Sequence, residues 1–139
     1  MPYYRLYYHF VWTTKNRAPF INTLNQKTIY AAIQDKVAAL NGIVHALNGM
    51  PDHVHLVASV PPSVRLSDFI GQIKGASSHL ARTLTELGDF AWQGEYGVLS
   101  ISESHVPIVV RYVENQQKHH ADQTLDARLE LSEPPDAMP

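Results

Sequence analysis

No cysteine occurs in the 139-residue chain. Its absence excludes disulfides and thiolate–zinc sites, and leaves imidazole, carboxylate and amide groups as the available metal ligands. Long apolar runs are also missing. None approaches the ~18 residues that span a bilayer, and Met1-Pro2-Tyr3-Tyr4-Arg5 does not begin a signal peptide, so no membrane is expected as a partner. Nor is there a surplus of positive charge: the formal net charge is −2, which argues against coating nucleic acid through bulk electrostatics. The charge is unevenly spread, however. Residues 121–139 carry Asp122, Asp126, Glu130, Glu133 and Asp136 against Arg128, a balance of −4 that leaves residues 1–120 at about +2. Any DNA binding must therefore come from a local patch.

The length suits one domain with a real core, and 45% hydrophobic residues place the chain among globular proteins. The pattern predicts a first strand over residues 3–14, dense in Tyr, Phe, Val and Thr, followed by a basic loop at Lys15-Asn16-Arg17. Ile29, Ile33, Val37 and Leu40 mark an amphipathic helix over about 22–40, closed by Asn41-Gly42. A strand over 43–47 and a turn at Gly49-Met50-Pro51-Asp52 lead into a third strand, making a hairpin. Ser67 is expected to cap a second helix with Phe69, Ile70, Ile73, Leu80 and Leu84 buried. Short strands, or irregular structure around Gly94 and Gly97, are expected at 90–92 and 98–101, then a last helix. The order β-α-β-β-α-β plus a final helix predicts an α+β fold, a ferredoxin-like antiparallel sheet with helices packed on one face. Residues 1–120 form that domain, and 121–139, acidic and carrying Pro134-Pro135, read as a frayed tail.

Two stretches carry chemistry. In the third strand, His53-Val54-His55 places both imidazoles on one face, because successive strand side chains alternate. Two imidazoles so placed can converge on one cation, or can be two half-exposed histidines on an ordinary strand. In the last helix, Ser104 is a plausible N-cap and Pro107 falls in the first turn, where its missing N–H costs nothing. Tyr112 and Gln116 are four apart and share a helix face. A phenol can attack phosphorus and an amide oxygen can bind a hard cation; alone, Tyr112 is a helix–core contact with its hydroxyl at the rim.

Taken together, Asp52-His53-Val54-His55-Leu56 and Tyr112-Val113-Glu114-Asn115-Gln116 resemble the single-tyrosine HUH transposases of small bacterial insertion sequences, the IS200-like transposases. Tyr8-His9-Phe10-Val11-Trp12-Thr13-Thr14-Lys15, Ile73-Lys74-Gly75-Ala76-Ser77-Ser78, Trp92-Gln93 and Gly97-Val98-Leu99-Ser100-Ile101-Ser102 extend the similarity from Tyr3 to His120. The resemblance implies that Tyr112 is the catalytic nucleophile and that His53, His55 and Gln116 bind one divalent ion, Mg²⁺ or Mn²⁺. It implies cleavage and rejoining of single-stranded DNA at element ends through a 5′-phosphotyrosine, recognition of a subterminal DNA hairpin, and a homodimer. A small-molecule cofactor is not implied, and the expected location is the bacterial cytoplasm, at the nucleoid. Candidate phosphate contacts are Lys15, Arg17, Lys74, Arg82 and Arg111; the row Lys74, Ser78, Arg82 can equally be a solvated helix face.

The other histidines are assigned lesser roles. His119-His120 reads as helix-end residues, with a DNA-side contact as the alternative; His9 as a polar neighbour of the site; His45, His79 and His105 as structural or exposed. Glu103 and Glu114 are possible proton acceptors. Three other functions compete with the transposase. One is a domesticated relative acting on repetitive palindromes, whose basic C-terminal region the acidic tail does not match. Another is an inactive hairpin-binding copy. The last is a histidine phosphoesterase, which would need a second His motif that the sequence lacks.

Overall fold

The computed structural model describes residues 2–135; of the tail, 136–139 lie outside the described residues. Strands β1 (Tyr7–Thr13), β2 (Ile43–Met50), β3 (His53–Ser59) and β4 (Gly97–Ile101) form one sheet in the order β2-β3-β1-β4. All three pairings are antiparallel, and β3 and β1 are central. This is the ferredoxin-like arrangement expected from the element order.

Helices α1 (Gln26–Ala39) and α2 (Leu66–Arg82) cover one face. Their buried residues recur at helical spacing: Ile29, Ile33 and Val37 on α1, and Phe69, Ile70, Ile73, Ser77 and Ala81 on α2. They meet the even-numbered strand residues Phe10, Trp12, Val54, Leu56 and Ala58, all buried. The Val, Leu, Ile and Phe side chains among them each contribute about 1.5–3 kcal/mol through burial. The end of α1 follows from its sequence. Asn41 adopts a left-handed φ of 63°, Gly42 N–H reaches Val37 O at 2.9 Å and Asn41 N–H reaches Ala38 O at 3.0 Å. That pair of bonds satisfies carbonyls the helix would otherwise leave open. The second helix starts one residue before Ser67, with Arg65 as its N-cap.

The opposite face, which carries the odd-numbered residues His53, His55 and Val57, is also covered. Helix α3 (Val106–Glu114) starts with Pro107 in its first turn, preceded by a single 3-10 turn at Glu103–His105 rather than by a Ser104 cap. Val109, Tyr112 and Val113 pack on Ala46, Val57 and Leu129. Helix α4 (Gln116–Asp122) follows after a break at Asn115, and a short α5 (Ala127–Glu130) closes over the edge near β1 and β4. The sheet thus lies between two helical layers instead of under one. The tail differs from expectation for the same reason: Leu129 is buried in the α3 cluster, which draws residues 126–130 onto the histidine face. No helix among the described residues is long and apolar enough to cross a membrane.

Candidate active site

Strand alternation puts His53 and His55 on the same face, as their spacing requires, and both are buried. The hairpin that presents them is tight at Gly49. A Cβ there would lie 2.1 Å from the His53 carbonyl oxygen, so only glycine lets β2 approach the start of β3.

Each imidazole is oriented through its far nitrogen. His53 Nδ1 is 2.8 Å from Asp52 Oδ1, and Arg17 braces the same carboxylate at 3.2 Å. Burial would raise the Asp52 carboxyl, but the His53 bond and Arg17 outweigh it and hold it below its ordinary value. His55 Nδ1 is 2.8 Å from His9 Nε2, on the neighbouring strand. Both Nε2 atoms are thereby left to face the same space.

Into that space come three more side chains. Gln116 Oε1 lies 3.1 Å from His53 Nε2 and 3.0 Å from His120 Nε2. Glu130 Oε1 lies 3.2 Å from His55 Nε2, 3.4 Å from His53 Nε2 and 3.8 Å from His120 Nε2. The ligand atoms of His53, His120 and Glu130 all fall within 4.8 Å of one another. Donors bound to a single ion at about 2.1 Å stand roughly 3.0–3.4 Å apart, so this cluster has the spacing of a coordination shell. With the imidazole protons on Nδ1, the atoms converging here present lone pairs, which a cation satisfies. The residues fit a divalent ion; imidazole and amide or carboxylate oxygen together suit Mn²⁺, and Mg²⁺ with its waters retained.

Tyr112 stands at the edge of this cluster, its ring 6.1 Å from that of His55 and stacked on His119 at 4.5 Å. Its hydroxyl donates a hydrogen bond to Glu130 Oε2 and accepts one from the Asp126 backbone N–H at 3.0 Å. Gln116 Nε2 reaches the same Oε2 at 3.2 Å. Burial, then the Glu130 bond, push the phenol well above its ordinary range, so the hydroxyl stays protonated in this arrangement. Burial would raise Glu130 too, but His55, Tyr112 and His53 outweigh it and hold the carboxylate at about 2. Burial, with the repulsion of His55, lowers His9 to about 3 and keeps it neutral.

The tyrosine helix is stitched to the same chain's hairpin. Asn48 Nδ2 donates to Val113 O at 3.0 Å, Glu114 O at 3.1 Å and Gln117 Oε1 at 3.1 Å, while Gln117 Nε2 reaches Gly49 O at 2.9 Å. These bonds satisfy carbonyls at the end of α3 and fix the break before Gln116.

Four residues expected at the centre (His53, His55, Tyr112 and Gln116) come together. His9 is adjacent, as expected. His120 and Glu130, read as helix-end and tail residues, join them: His120 lies four residues after Gln116 on α4 and shares its face, whereas nothing in the local sequence marks Glu130, which the α4–α5 turn brings in. Glu103 pairs with Arg5 and Glu114 is exposed, so neither approaches Tyr112. Among the candidate phosphate contacts, Arg17 flanks a cleft with His53 and His120, and Lys15 is exposed. Lys74 is committed elsewhere: its ammonium donates to Gln93 O at 2.6 Å and Glu95 O at 3.0 Å, and burial lowers its pKa. Arg82 and Arg111 are exposed, Arg82 on the α2 layer away from the histidines.

Comparison with known proteins shows the family and the fold. The family model described as "Transposase IS200 like" matches residues 2–116. The ISDra2 transposase TnpA of Deinococcus radiodurans is 32% identical over 120 residues, covering 81% of this chain and 85% of that protein. A crystal structure described as a transposase from Deinococcus radiodurans R1 superposes with a TM-score of 0.66 at 28% identity, over 84% of this chain and 95% of that one. A REP-associated tyrosine transposase bound to a REP hairpin shares the fold, with a TM-score of 0.65 at 20% identity over 86% and 74% of the two chains. The chain belongs to the IS200-like transposase family.

Proposed function

We propose that the protein cleaves and rejoins single-stranded DNA at insertion-sequence ends, with Tyr112 as nucleophile and a divalent ion held by His53, His55 and Gln116. The observation that carries this reading is the single carboxylate, Glu130, that touches both the Tyr112 hydroxyl and the imidazole nitrogens. It means that nucleophile and ligands serve one phosphate-sized space. Mg²⁺ or Mn²⁺ bound there supplies Lewis acidity toward a phosphodiester oxygen.

The chain's own groups do the rest. His53 and His55 present Nε2 because Asp52 and His9 hold Nδ1. Tyr112 forms a bond from its oxygen to phosphorus as the bond from phosphorus to the 3′-oxygen breaks. The phenol proton is given up and the departing 3′-oxygen takes one, leaving a 5′-phosphotyrosine and a free 3′-hydroxyl. Since the ester keeps the bond energy, a 3′-hydroxyl from another end reverses the step without a nucleotide cofactor. Here Tyr112 lies with the histidines of its own chain, and we read the cis arrangement as a competent one for a homodimer. The partner is single-stranded DNA with a subterminal hairpin, read through phosphate and shape contacts that include Arg17 and Lys15.

The test uses single-stranded DNA spanning the ends of the encoding locus, incubated with protein and Mn²⁺ or Mg²⁺. An SDS-stable protein–DNA adduct that is lost in Tyr112→Phe and in EDTA is the expected result. Hairpin binding with no adduct under any metal would instead leave an inactive or domesticated hairpin-binding protein.

A further inference from the structure

Residues 126–135 cross the histidine face although they follow the family's matched region, and their contacts are unlike those of a tail. Glu130 presents two oxygens from one central atom, with Oε1 turned to His55, His53 and His120 and Oε2 to the Tyr112 hydroxyl. A scissile phosphodiester in the proposed reaction must do the same, with one non-bridging oxygen on the ligand side and phosphorus against the phenol. The attacking oxygen is itself capped, since the Asp126 N–H occupies one of its lone pairs. Beyond Glu130 the segment runs along β4, where the Leu131 carbonyl lies 2.0 Å from the place of a Gly97 Cβ. It walls one side of a cleft of about 510 Å³ whose other side is Thr13, Thr14, Asn16, Arg17 and Gln93.

We propose that Glu130 marks the scissile-phosphate position, and that residues 126–135 form a displaceable acidic strap competing with the DNA strand for it. The proposal rests on the cleavage reading above and extends it to the path of the strand, from the Tyr112 hydroxyl along the cleft beside Arg17. Asp126, Glu130 and Glu133 give the strap three anionic groups within eight residues, the charge of the backbone it would stand in for. Its anchorage is slight: α5 has four residues, and Leu129 is the one buried apolar side chain in it. Segments held by so little buried surface open at small free-energy cost.

Two variants test this by different routes. Glu130→Gln keeps the shape and removes the charge. Gly97→Ala touches no site residue and pushes the Leu131 carbonyl away from β4. Affinity for a labelled single-stranded oligonucleotide, measured in EDTA, reads the strap without any reaction. A strap closed nine-tenths of the time lowers apparent affinity about tenfold, so both variants are expected to bind up to about tenfold tighter. In the wild-type protein, amide exchange over residues 126–133 is expected to speed up when DNA is added. Unchanged or weaker DNA binding by both variants overturns the strap, as does slower exchange on adding DNA. So does a loss of Mn²⁺ affinity in Glu130→Gln, by calorimetry, that exceeds its gain for DNA, since Glu130 would then be a resident ligand. Failure of the cleavage reading is distinct: it shows as no adduct in any form of the protein, whatever the affinities.

Discussion

His9 Nε2 lies 2.8 Å from His55 Nδ1, across the β1–β3 pairing, with both rings buried. If His55 gives its Nε2 lone pair to a cation, its proton must sit on Nδ1, and His9 Nε2 receives it. His9 then carries its own proton on Nδ1, which has no partner among the described residues. The cost of that orphaned donor marks a constraint imposed by the site rather than by the core.

Replacing His9 by Ala is therefore expected to weaken Mn²⁺ binding by roughly 10–100-fold while His53 and His55 stay in place. His9→Gln, which restores an acceptor near the same point, should recover part of it. Calorimetric titration of Mn²⁺ checks both, and equal affinity in wild type and His9→Ala would remove His9 from the site.

The same residue sets a pH dependence. Folded His9 takes its proton at about 3, whereas the unfolded chain takes it near 6.5. Between those values the unfolded state binds more protons, so stability rises with pH and is lost on acidification, by up to about 1.4 kcal/mol per pH unit from this group. Glu130 acts in the same direction in a lower window, its stabilisation present above 4.5 and lost as pH falls toward 2. Urea midpoints of the metal-free protein from pH 7 to 4 should fall steadily, and His9→Gln should flatten the upper part of that slope.

Asn48→Ala is expected to loosen the tyrosine helix. Its amide bonds to Val113 O and Glu114 O hold the end of α3 against β2. Removing it leaves those carbonyls and Gln117 underused and costs about 1–3 kcal/mol. Adduct formation should fall more than DNA binding does, because Tyr112 loses its position while the strand-borne residues keep theirs. A gel assay for the adduct beside an anisotropy titration separates the two.

The cations should divide into two groups. Arg17→Ala is expected to weaken single-strand binding and reduce the salt slope by about one. Lys74→Met should leave that slope unchanged and lower stability by about 1.5–3 kcal/mol, since it strips two charge-assisted bonds from the Gln93–Glu95 loop. A salt titration and a urea melt on each variant decide it. A reduced slope with unaltered stability in Lys74→Met would reverse the assignment.

The sequence by itself determined the parts whose geometry is local. Alternation along β3 put His53 and His55 on one face, and four-residue spacing kept Tyr112 and Gln116 together across the break at Asn115. The strand and helix order was legible for the same reason, because period and turn chemistry are written within a few residues. Only the tertiary structure decided which surfaces meet. It brought the tyrosine helix onto its own chain's histidines through Asn48, withdrew Lys74 from the solvent row into loop carbonyls, and carried His120 and Glu130 into the site. The placements of Tyr112 and Glu130 depend on Leu129 and Val109 finding the face of Val57. Burial is driven by apolar area wherever it lies in the chain, so no local pattern around Glu130 records where it ends up.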